Sequence, residues 1–211
     1  PFAMIGRTAE PAGLPYVDID FDVTVENAVA HLQQLGHREI VFVTERPPTE
    51  SFRRYGAKVR AEASFRRVCA ERGLESVLME CAQHAASGRE LSAALLKDRP
   101  EATAVMVMNE QAAFGVISGL TRAGCRVPDD VSVLSISTSS EVGAMSDPVL
   151  SIMRSPGPEL GRLAVEMLID QLEDGTRAQG RAHSGHSGGP SLRLLPCELE
   201  PAESTARVRT L

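Results

Sequence analysis

The stretch Thr103-Ala104-Val105-Met106-Val107-Met108-Asn109-Glu110 joins an unbroken apolar run to two polar residues. Such a run favours a strand that is buried on both faces, as in a parallel sheet. A helical spacing of apolar residues follows directly, at Ala113, Val116, Ile117 and Leu120. In an open α/β sheet, ligands bind beyond the carboxyl ends of the strands. Asn109 therefore stands where such a sheet presents a polar contact to a ligand.

The same alternation of buried strands and amphipathic helices extends on both sides of this stretch. Strand-like runs lie at 39–43, 77–79, 103–108 and 131–136, and helical patterns lie at 56–72, 90–97 and 113–120. Another helical pattern precedes them, with Asp22 or Thr24 as its cap and Gly36 as its end. Short helices between buried strands predict parallel pairing with right-handed crossovers. The order from Glu39 to Ser137 is therefore β-α-β-α-β-α-β, and the segment from Asp22 to Ser137 predicts a complete small α/β lobe.

The segments outside this lobe are few. They read as strands at 2–5 and 16–19, a strand or crossing segment at 148–153, an amphipathic helix at 158–173 and an extended segment at 191–199. A polar loop is expected at 138–146, and a mobile loop rich in Gly, Ser and His at 176–190. These pieces are too few for a second lobe, and the chain starts at Pro1 without Met. We therefore expect it to be a fragment whose second lobe is completed elsewhere.

The composition and the motifs that are missing argue against several classes of function. The 211 residues carry a net charge of −6, which argues against direct binding to DNA or to an anionic membrane. The four cysteines are far apart and lack a CxxC pair, so we predict neither a metal site nor a disulfide framework. Cys69 and Cys125 lie in or beside predicted helices next to apolar residues, which indicates reduced packing residues and favours a cytoplasmic location. The sequence shows no signal peptide and no apolar run of transmembrane length. It also lacks GxGxxG and P-loop motifs, so we expect neither an enzyme nor a cofactor.

Four motifs and a closing segment resemble one known family. They are Leu35-Gly36-His37-Arg38-Glu39-Ile40, 108–115 (MNEQAAFG), 124–133 (GCRVPDDVSV), 158–162 (PELGR) and Glu203-Ser204-Thr205. In this order and spacing they resemble the lactose-repressor (LacI/GalR) family of bacterial transcription regulators. The resemblance covers nearly the whole chain.

The resemblance implies a periplasmic-binding-protein-like fold of type I, α/β with a doubly wound parallel sheet. The C-terminal lobe is expected to be complete and the N-terminal lobe only partial. Residues 1–19 would be a remnant of the N-terminal lobe and 20–150 the C-terminal lobe of the effector-binding domain. Residues 151–198 would supply a crossover helix and strand to the N-terminal lobe, and 199–211 would be a C-terminal segment.

The family binds its effectors between the two lobes, and the resemblance places several residues there. Asn109 matches the pocket asparagine, and its amide suits a pair of sugar hydroxyls, although it could instead cap the loop. Ser137 stands where the family has an aspartate, which puts a typical hexose contact in doubt. Glu110 stands where an aspartate is usual, and we prefer to read it as the start of the following helix.

Three further candidates depart more from the family pattern. The family arginine lies three residues before a Gly-Phe pair, but here Ala61 has that place before Ser64-Phe65, and Arg60 is the nearest arginine. Asp20 is either a ligand or hinge contact or a helix cap. Gln83 lies on a loop that could form a pocket wall. With half of the cleft missing, we expect the fragment alone to bind an effector weakly or not at all.

The resemblance also implies an assembly and a mechanism. The family pairs its C-terminal lobes, and Phe114 and Met145 match positions in that dimer interface. The chain is therefore interpreted as the effector-sensing and dimerisation domain of a repressor that responds to a small, carbohydrate-related ligand. DNA would be bound only through a helix-turn-helix that this chain lacks. A solute-binding protein of a sugar transporter is the alternative. The sequence names neither the effector nor the operator, and it does not say whether the effector induces or co-represses.

Overall fold

Strands and helices alternate along most of the chain, as the apolar spacing predicts. The computed structural model describes residues 1–8, 13–49, 55–180 and 192–209. Its strands are β1 (Met4–Ile5), β2 (Tyr16–Ile19), β3 (Ile40–Glu45), β4 (Val77–Cys81), β5 (Ala104–Val107), β6 (Ser132–Thr138), β7 (Ser151–Arg154), β8 (Leu192–Leu195) and β9 (Glu198–Glu200). Its helices are α1 (Phe21–Gln34), α2 (Gly56–Arg72), α3 (Ala85–Asp98), α4 (Glu110–Arg122), α5 (Ser140–Gly143) and α6 (Gly157–Gly180).

The larger of two sheets has six strands in the order β4-β3-β5-β6-β7-β9. All neighbours from β4 to β7 are parallel, whereas β9 runs antiparallel to β7. The parallel sheet that the sequence predicts between Glu39 and Ser137 is therefore confirmed, with β7 and β9 added at one edge.

Helices cover both faces of this sheet, and the side chains of β5 show why. Ala104 and Met106 lie in the core cluster beneath α1 and α2, whereas Val105 and Val107 lie in the cluster beneath α3 and α4. All four side chains are fully buried. Alternate residues of a strand point to opposite faces, so an unbroken apolar run is what a strand with two covered faces requires.

Helices α3 and α4 pack closely through two glycines. A Cβ atom added to Gly88 would lie 2.3 Å from the carbonyl oxygen of Ala112. A Cβ atom added to Gly115 would lie 2.2 Å from the carbonyl oxygen of Ala85. The two helix backbones can approach this closely only because neither residue has a side chain.

The smaller sheet has three parallel strands in the order β1-β2-β8. Helix α6 packs on it through Leu160, Ala164 and Met167, which contact the buried Val17 of β2. Among the described residues, no helix is long and apolar enough to cross a membrane.

The structure corrects the boundary that we predicted at residue 150. Strand β7 pairs with β6 rather than with the smaller sheet, with Leu134 opposite Ser151. Strand β9 pairs with β7 in turn, so among the described residues of 151–198 only α6 and β8 pack on the smaller sheet. Apolar spacing identifies a buried strand but does not say which sheet it joins. In the described residues the chain crosses between the sheets three times, near Asp20, between β7 and α6, and between β8 and β9.

Several local predictions are also corrected. Asp20 caps α1, rather than Asp22 or Thr24. The loop expected at 138–146 contains the short helix α5, and α6 continues to Gly180. The rest of the predicted mobile loop, from residue 181, lies outside the described residues. The helix predicted over 56–72 is confirmed as α2, and Gly73 ends it with a left-handed φ of 65°.

Candidate functional site

A cavity of about 220 Å³ lies where four strands of the two sheets end. Strand β2 of the smaller sheet contributes one wall, and the carboxyl ends of β3, β5 and β6 contribute the other. The lining residues are Asp18, Ile19, Phe21, Glu45, Tyr55, Ala57, Met108, Asn109, Glu110 and Ser137. A larger cavity of about 330 Å³ lies beside His37 and Thr103, which precede β3 and β5. Because α/β sheets bind ligands beyond the carboxyl ends of their strands, the 220 Å³ cavity is the candidate site.

Asn109 lies in this cavity and also caps α4. Its Oδ1 atom accepts a hydrogen bond of 3.1 Å from the backbone amide of Ala112. An amide side chain has two N–H donors besides its oxygen, and the cap does not use them. The two interpretations offered by the sequence are therefore compatible, since one end of the side chain holds the helix and the other can meet a ligand.

Ser137 lies in the cavity with an unusual backbone. Its φ of 60° makes it the only non-glycine residue with positive φ in the described part of the chain. The pairing of β6 with β7 shifts register at this point. Such irregularities redirect side chains, and strained backbone is often found at functional sites.

The thiol of Cys197 is hydrogen-bonded to Ser137. Burial raises the pKa of Cys197 to about 11, and hydrogen bonds with Thr24 and Ser137 act in the opposite direction. The backbone amide of Cys197 also donates to Oγ1 of Thr24 over 3.0 Å. Cys197 lies where the chain passes from β8 to β9, so the position of Ser137 depends on one of the three crossings between the sheets.

Two cavity residues, Glu45 and Tyr55, were not identified from the sequence. Burial raises the pKa of the Glu45 carboxyl, Glu110 raises it further, and the amide of Gln83 and the charge of Lys58 oppose this. Burial also raises the pKa of Tyr55, with the charges of Glu45 and Asp18 adding to the effect. Glu45 follows an unbroken apolar strand just as Asn109 does, and that signal could have identified it.

Gln83 holds a lining residue but does not line the cavity itself. Its side chain hydrogen-bonds to Glu45. Two other basic residues, Arg54 and Lys58, are close to Arg60 in the sequence, and Arg54 lies outside the described residues. The amino group of Lys58 contacts the carboxylate of Glu62 and lies 2.9 Å from that of Glu80. The lining that the structure describes therefore offers carboxylate, hydroxyl and amide groups.

Arg60 and Asp20 face protein groups rather than the cavity. The guanidinium of Arg60 lies 2.9 Å from the carboxylate of Asp18. The carboxylate of Asp20 accepts hydrogen bonds from the backbone amides of Asp22 and Val23, at 3.1 and 3.2 Å. For Asp20 the capping alternative thus describes its contacts, and neither residue lines the cavity.

Phe114 of α4 and Met145, which follows α5, lie next to the same surface depression. Both line a shallow depression of about 420 Å³, together with Ile117 and Thr121. Met145 is 77% exposed, which is unusual for a large apolar side chain. The family resemblance predicts that both residues belong to one interface, and in the structure both line the same surface depression.

No cluster of three metal-binding side chains occurs within the described residues. Cys69, Cys81 and Cys197 are buried and free, and Cys125 is partly buried and free. The cysteines therefore form no disulfide in this structure. Cys69 lies in one core cluster and Cys125 packs against the other, in agreement with the packing role predicted for these two residues.

A sequence model of the periplasmic binding protein-like domain matches residues 29–204. The chain belongs to this family. The expected resemblance to LacI/GalR regulators is also confirmed by individual relatives. The HTH-type transcriptional regulator MalR of Streptomyces coelicolor is 29% identical over 177 residues, which cover 82% of this chain and 49% of that protein. The HTH-type transcriptional repressor CytR of Escherichia coli is 27% identical over 201 residues, covering 94% of this chain and 54% of that protein.

Solved structures agree with the family assignment. A LacI family transcriptional regulator from Arthrobacter sp. FB24, in complex with lactose, has a TM-score of 0.77 and 28% identity, covering 97% of this chain and 71% of that chain. A LacI family regulator from Enterococcus faecium with bound ribose shares the fold, with a TM-score of 0.77, 23% identity and coverage of 99% and 72%. The chain spans about half the length of the curated relatives MalR and reg1.

Proposed function

We propose that this chain is the effector-sensing domain of a LacI-type transcription regulator, acting as a repressor. The observation that carries the proposal is the cavity between the two sheets, where Asn109, Glu45 and Ser137 meet at the carboxyl ends of three strands. The chain itself performs no chemistry in this proposal. DNA is bound by a helix-turn-helix segment of the whole protein that is not part of this chain.

The effector is a small, hydroxyl-rich molecule related to carbohydrates. The described lining combines carboxylate acceptors with the N–H donors of Asn109 and the hydroxyls of Tyr55 and Ser137. Sugar hydroxyls both donate and accept, so a few fixed polar groups of both kinds suit them. The Arthrobacter relative with bound lactose supports this ligand class.

The effector acts by changing the relative position of the two sheets. Its cavity has one wall from β2 and the other from the larger sheet, so a ligand in it contacts both. A ligand shifts such an equilibrium only as far as its affinities for the two arrangements differ. The shift then repositions the DNA-binding segments of the whole protein.

Two copies of the chain pair through the surface around Phe114 and Met145. The exposed Met145 and the neighbouring depression supply an apolar patch on α4 and on the loop after α5. A twofold dimer uses one patch on both copies, which such a surface can satisfy.

A solute-binding protein of a transport system is the second candidate, because it would have the same fold. The curated relatives with matching sequences, MalR, CytR and DegA among them, are transcriptional regulators. We therefore favour regulation in the cytoplasm over transport.

A ligand screen on the protein at its natural full length tests the proposal. We expect at least one mono- or disaccharide, or a derivative of one, to raise the melting temperature and to change affinity for operator DNA. Asn109→Ala should reduce the shift at a given ligand concentration, whereas Gln111→Ala, at an exposed position on the same helix, should leave it unchanged. A protein that binds sugars but never DNA would instead support the transport candidate.

A further inference from the structure

A buried ionic cluster joins the smaller sheet to the larger lobe, in addition to the three chain crossings. Its members are Arg7, which follows β1, Asp18 on β2, and Arg60 on α2. Helix α2 packs on the larger sheet through Phe65 and Val68, so the cluster connects the two halves that face each other across the cavity.

Arg60 contacts the smaller sheet and its following loop through three hydrogen bonds. One terminal nitrogen donates to the carbonyl oxygen of Thr8 over 3.0 Å. The other donates to the carbonyl oxygen of Arg7 over 3.0 Å and to Oδ2 of Asp18 over 2.9 Å. The side chains of Arg60 and Asp18 are only 17% and 8% exposed, so water screens this pair poorly.

Asp18 is held from both of its oxygens. Its Oδ1 atom accepts from the backbone amide of Ile19 over 2.8 Å, and its Oδ2 atom also lies 3.3 Å from Nε of Arg7. The guanidinium of Arg7 in turn lies over the ring of Tyr16, 5.4 Å from its centre. One carboxylate thus fixes two guanidinium groups, and the same carboxylate lines the effector cavity.

Gly56, the first residue of α2, provides an independent sign of close contact at the same place. A Cβ atom added there would lie 2.3 Å from the carbonyl oxygen of Arg7 and 2.8 Å from both terminal nitrogens of Arg60. The helix therefore approaches the segment after β1 as closely as a residue without a side chain permits.

We propose that Arg60 is a positioning residue that latches the smaller sheet to α2 and so sets the separation of the cavity walls. It acts through Asp18 and the carbonyls of Arg7 and Thr8, not by contact with the effector. This inference rests on the proposed function only in naming the cavity as the effector site. An effector that hydrogen-bonds to Asp18 would compete directly with the latch, which links occupancy of the cavity to the position of the smaller sheet.

Hydrogen exchange of the full chain, measured by mass spectrometry without any ligand, tests the latch. Arg60→Met removes all three hydrogen bonds, and Gly56→Ala inserts a methyl group into the contact while keeping every charge. Both variants should accelerate amide exchange in β1 and β2 about tenfold or more. Arg60→Met removes one partner from a buried charge pair, whereas the methyl group of Gly56→Ala forces α2 away from the carbonyl of Arg7, and either change opens the contact. Exchange in β3 and β5 should stay unchanged. Arg60→Lys, which keeps the charge but not the planar fork, should give an intermediate rate.

Two variants serve as matched controls. Arg66 lies on the same helix with a 55% exposed side chain and a single 3.5 Å contact to Glu62, so Arg66→Met should leave the rates of β1 and β2 unchanged. Gly161→Ala adds a methyl group to α6, where nothing lies within 4 Å. Unchanged rates in both Arg60→Met and Gly56→Ala, or equal acceleration in both sheets, would overturn the latch. A protein that binds no sugar would overturn the proposed function and leave this comparison intact.

Discussion

The backbone amide of Ala112 donates a hydrogen bond of 3.1 Å to the side-chain oxygen of Asn109. The bond fixes the amide at the beginning of α4 and orients its nitrogen away from the helix. A single side chain thereby caps a helix and also lines the cavity between the two sheets. Replacements of Asn109 can separate these two roles.

Asn109→Ser should preserve stability and weaken effector binding. Serine is as good a helix cap as asparagine, so the free energy of unfolding should change by less than about 0.5 kcal/mol. The amide donors are lost, and the effector affinity should fall about five- to tenfold per hydrogen bond. Asn109→Ala should lose the same affinity and also about 1 kcal/mol of stability. Urea unfolding and calorimetric titration measure the two effects, and equal stability losses in both variants would contradict the capping role.

The close contact of α3 with α4 should tolerate no side chain at its two glycines. Gly88→Ala or Gly115→Ala should lower the free energy of unfolding by about 1–3 kcal/mol, because the added methyl group meets backbone atoms of the other helix. Gly161→Ala on α6, where nothing lies within 4 Å, should raise it by about 0.5–1 kcal/mol through helix propensity alone. Urea unfolding compares the three variants. A stabilised Gly115→Ala protein would show that the helices can separate without cost.

Local spacing predicted the larger sheet well, since burial on both faces determines which residues can form β3 and β5. It could not predict the partners of β7, because a short apolar strand fits either sheet. Nor could it reveal that Glu45 and Tyr55 share a cavity with Asn109, since that proximity arises only when β3, α2 and β5 pack together. The sequence could not predict the direction of the Arg60 side chain either, because that direction depends on carbonyl groups more than fifty residues away along the chain.

The C-terminal segment should detach more easily at acid pH. Its residue Ala206 accepts a hydrogen bond of 3.0 Å from Nε2 of the buried His37, whose Nδ1 lies 3.0 Å from Oγ1 of Thr103. Burial lowers the pKa of His37 from its ordinary 6.5, the Ala206 carbonyl opposes this, and the charge of His31 adds to it. The neutral form is therefore favoured by folding, and the stability it contributes is present above pH 6.5 and is lost as the pH falls through the lower folded-state pKa.

Urea unfolding between pH 7.5 and 5 measures this effect, which should appear as a falling midpoint below about pH 6.5. Glutamine can donate to Ala206 and accept from Thr103 without titrating, so His37→Gln should flatten the dependence. Burial also lowers the pKa of His31, whose ring lies 3.4 Å from Oγ1 of Thr205 in the same segment. A second replacement, His31→Gln, should flatten the dependence further. An unchanged slope in both variants would assign the pH effect to other groups.

The surface around Phe114 and Met145 should determine the association state. Met145→Glu places a charge at an apolar position that is 77% exposed in the single chain, so it should fold normally and weaken dimerisation at least about tenfold. Phe114→Glu should have the same effect on association, but it should also cost stability, since Phe114 packs partly against the core. Ile169→Glu is the matched control, because Ile169 is 47% exposed on α6, far from this depression. Sedimentation velocity over a range of concentrations distinguishes the variants, and a dimer that survives Met145→Glu but dissociates with Ile169→Glu would place the interface on α6 instead.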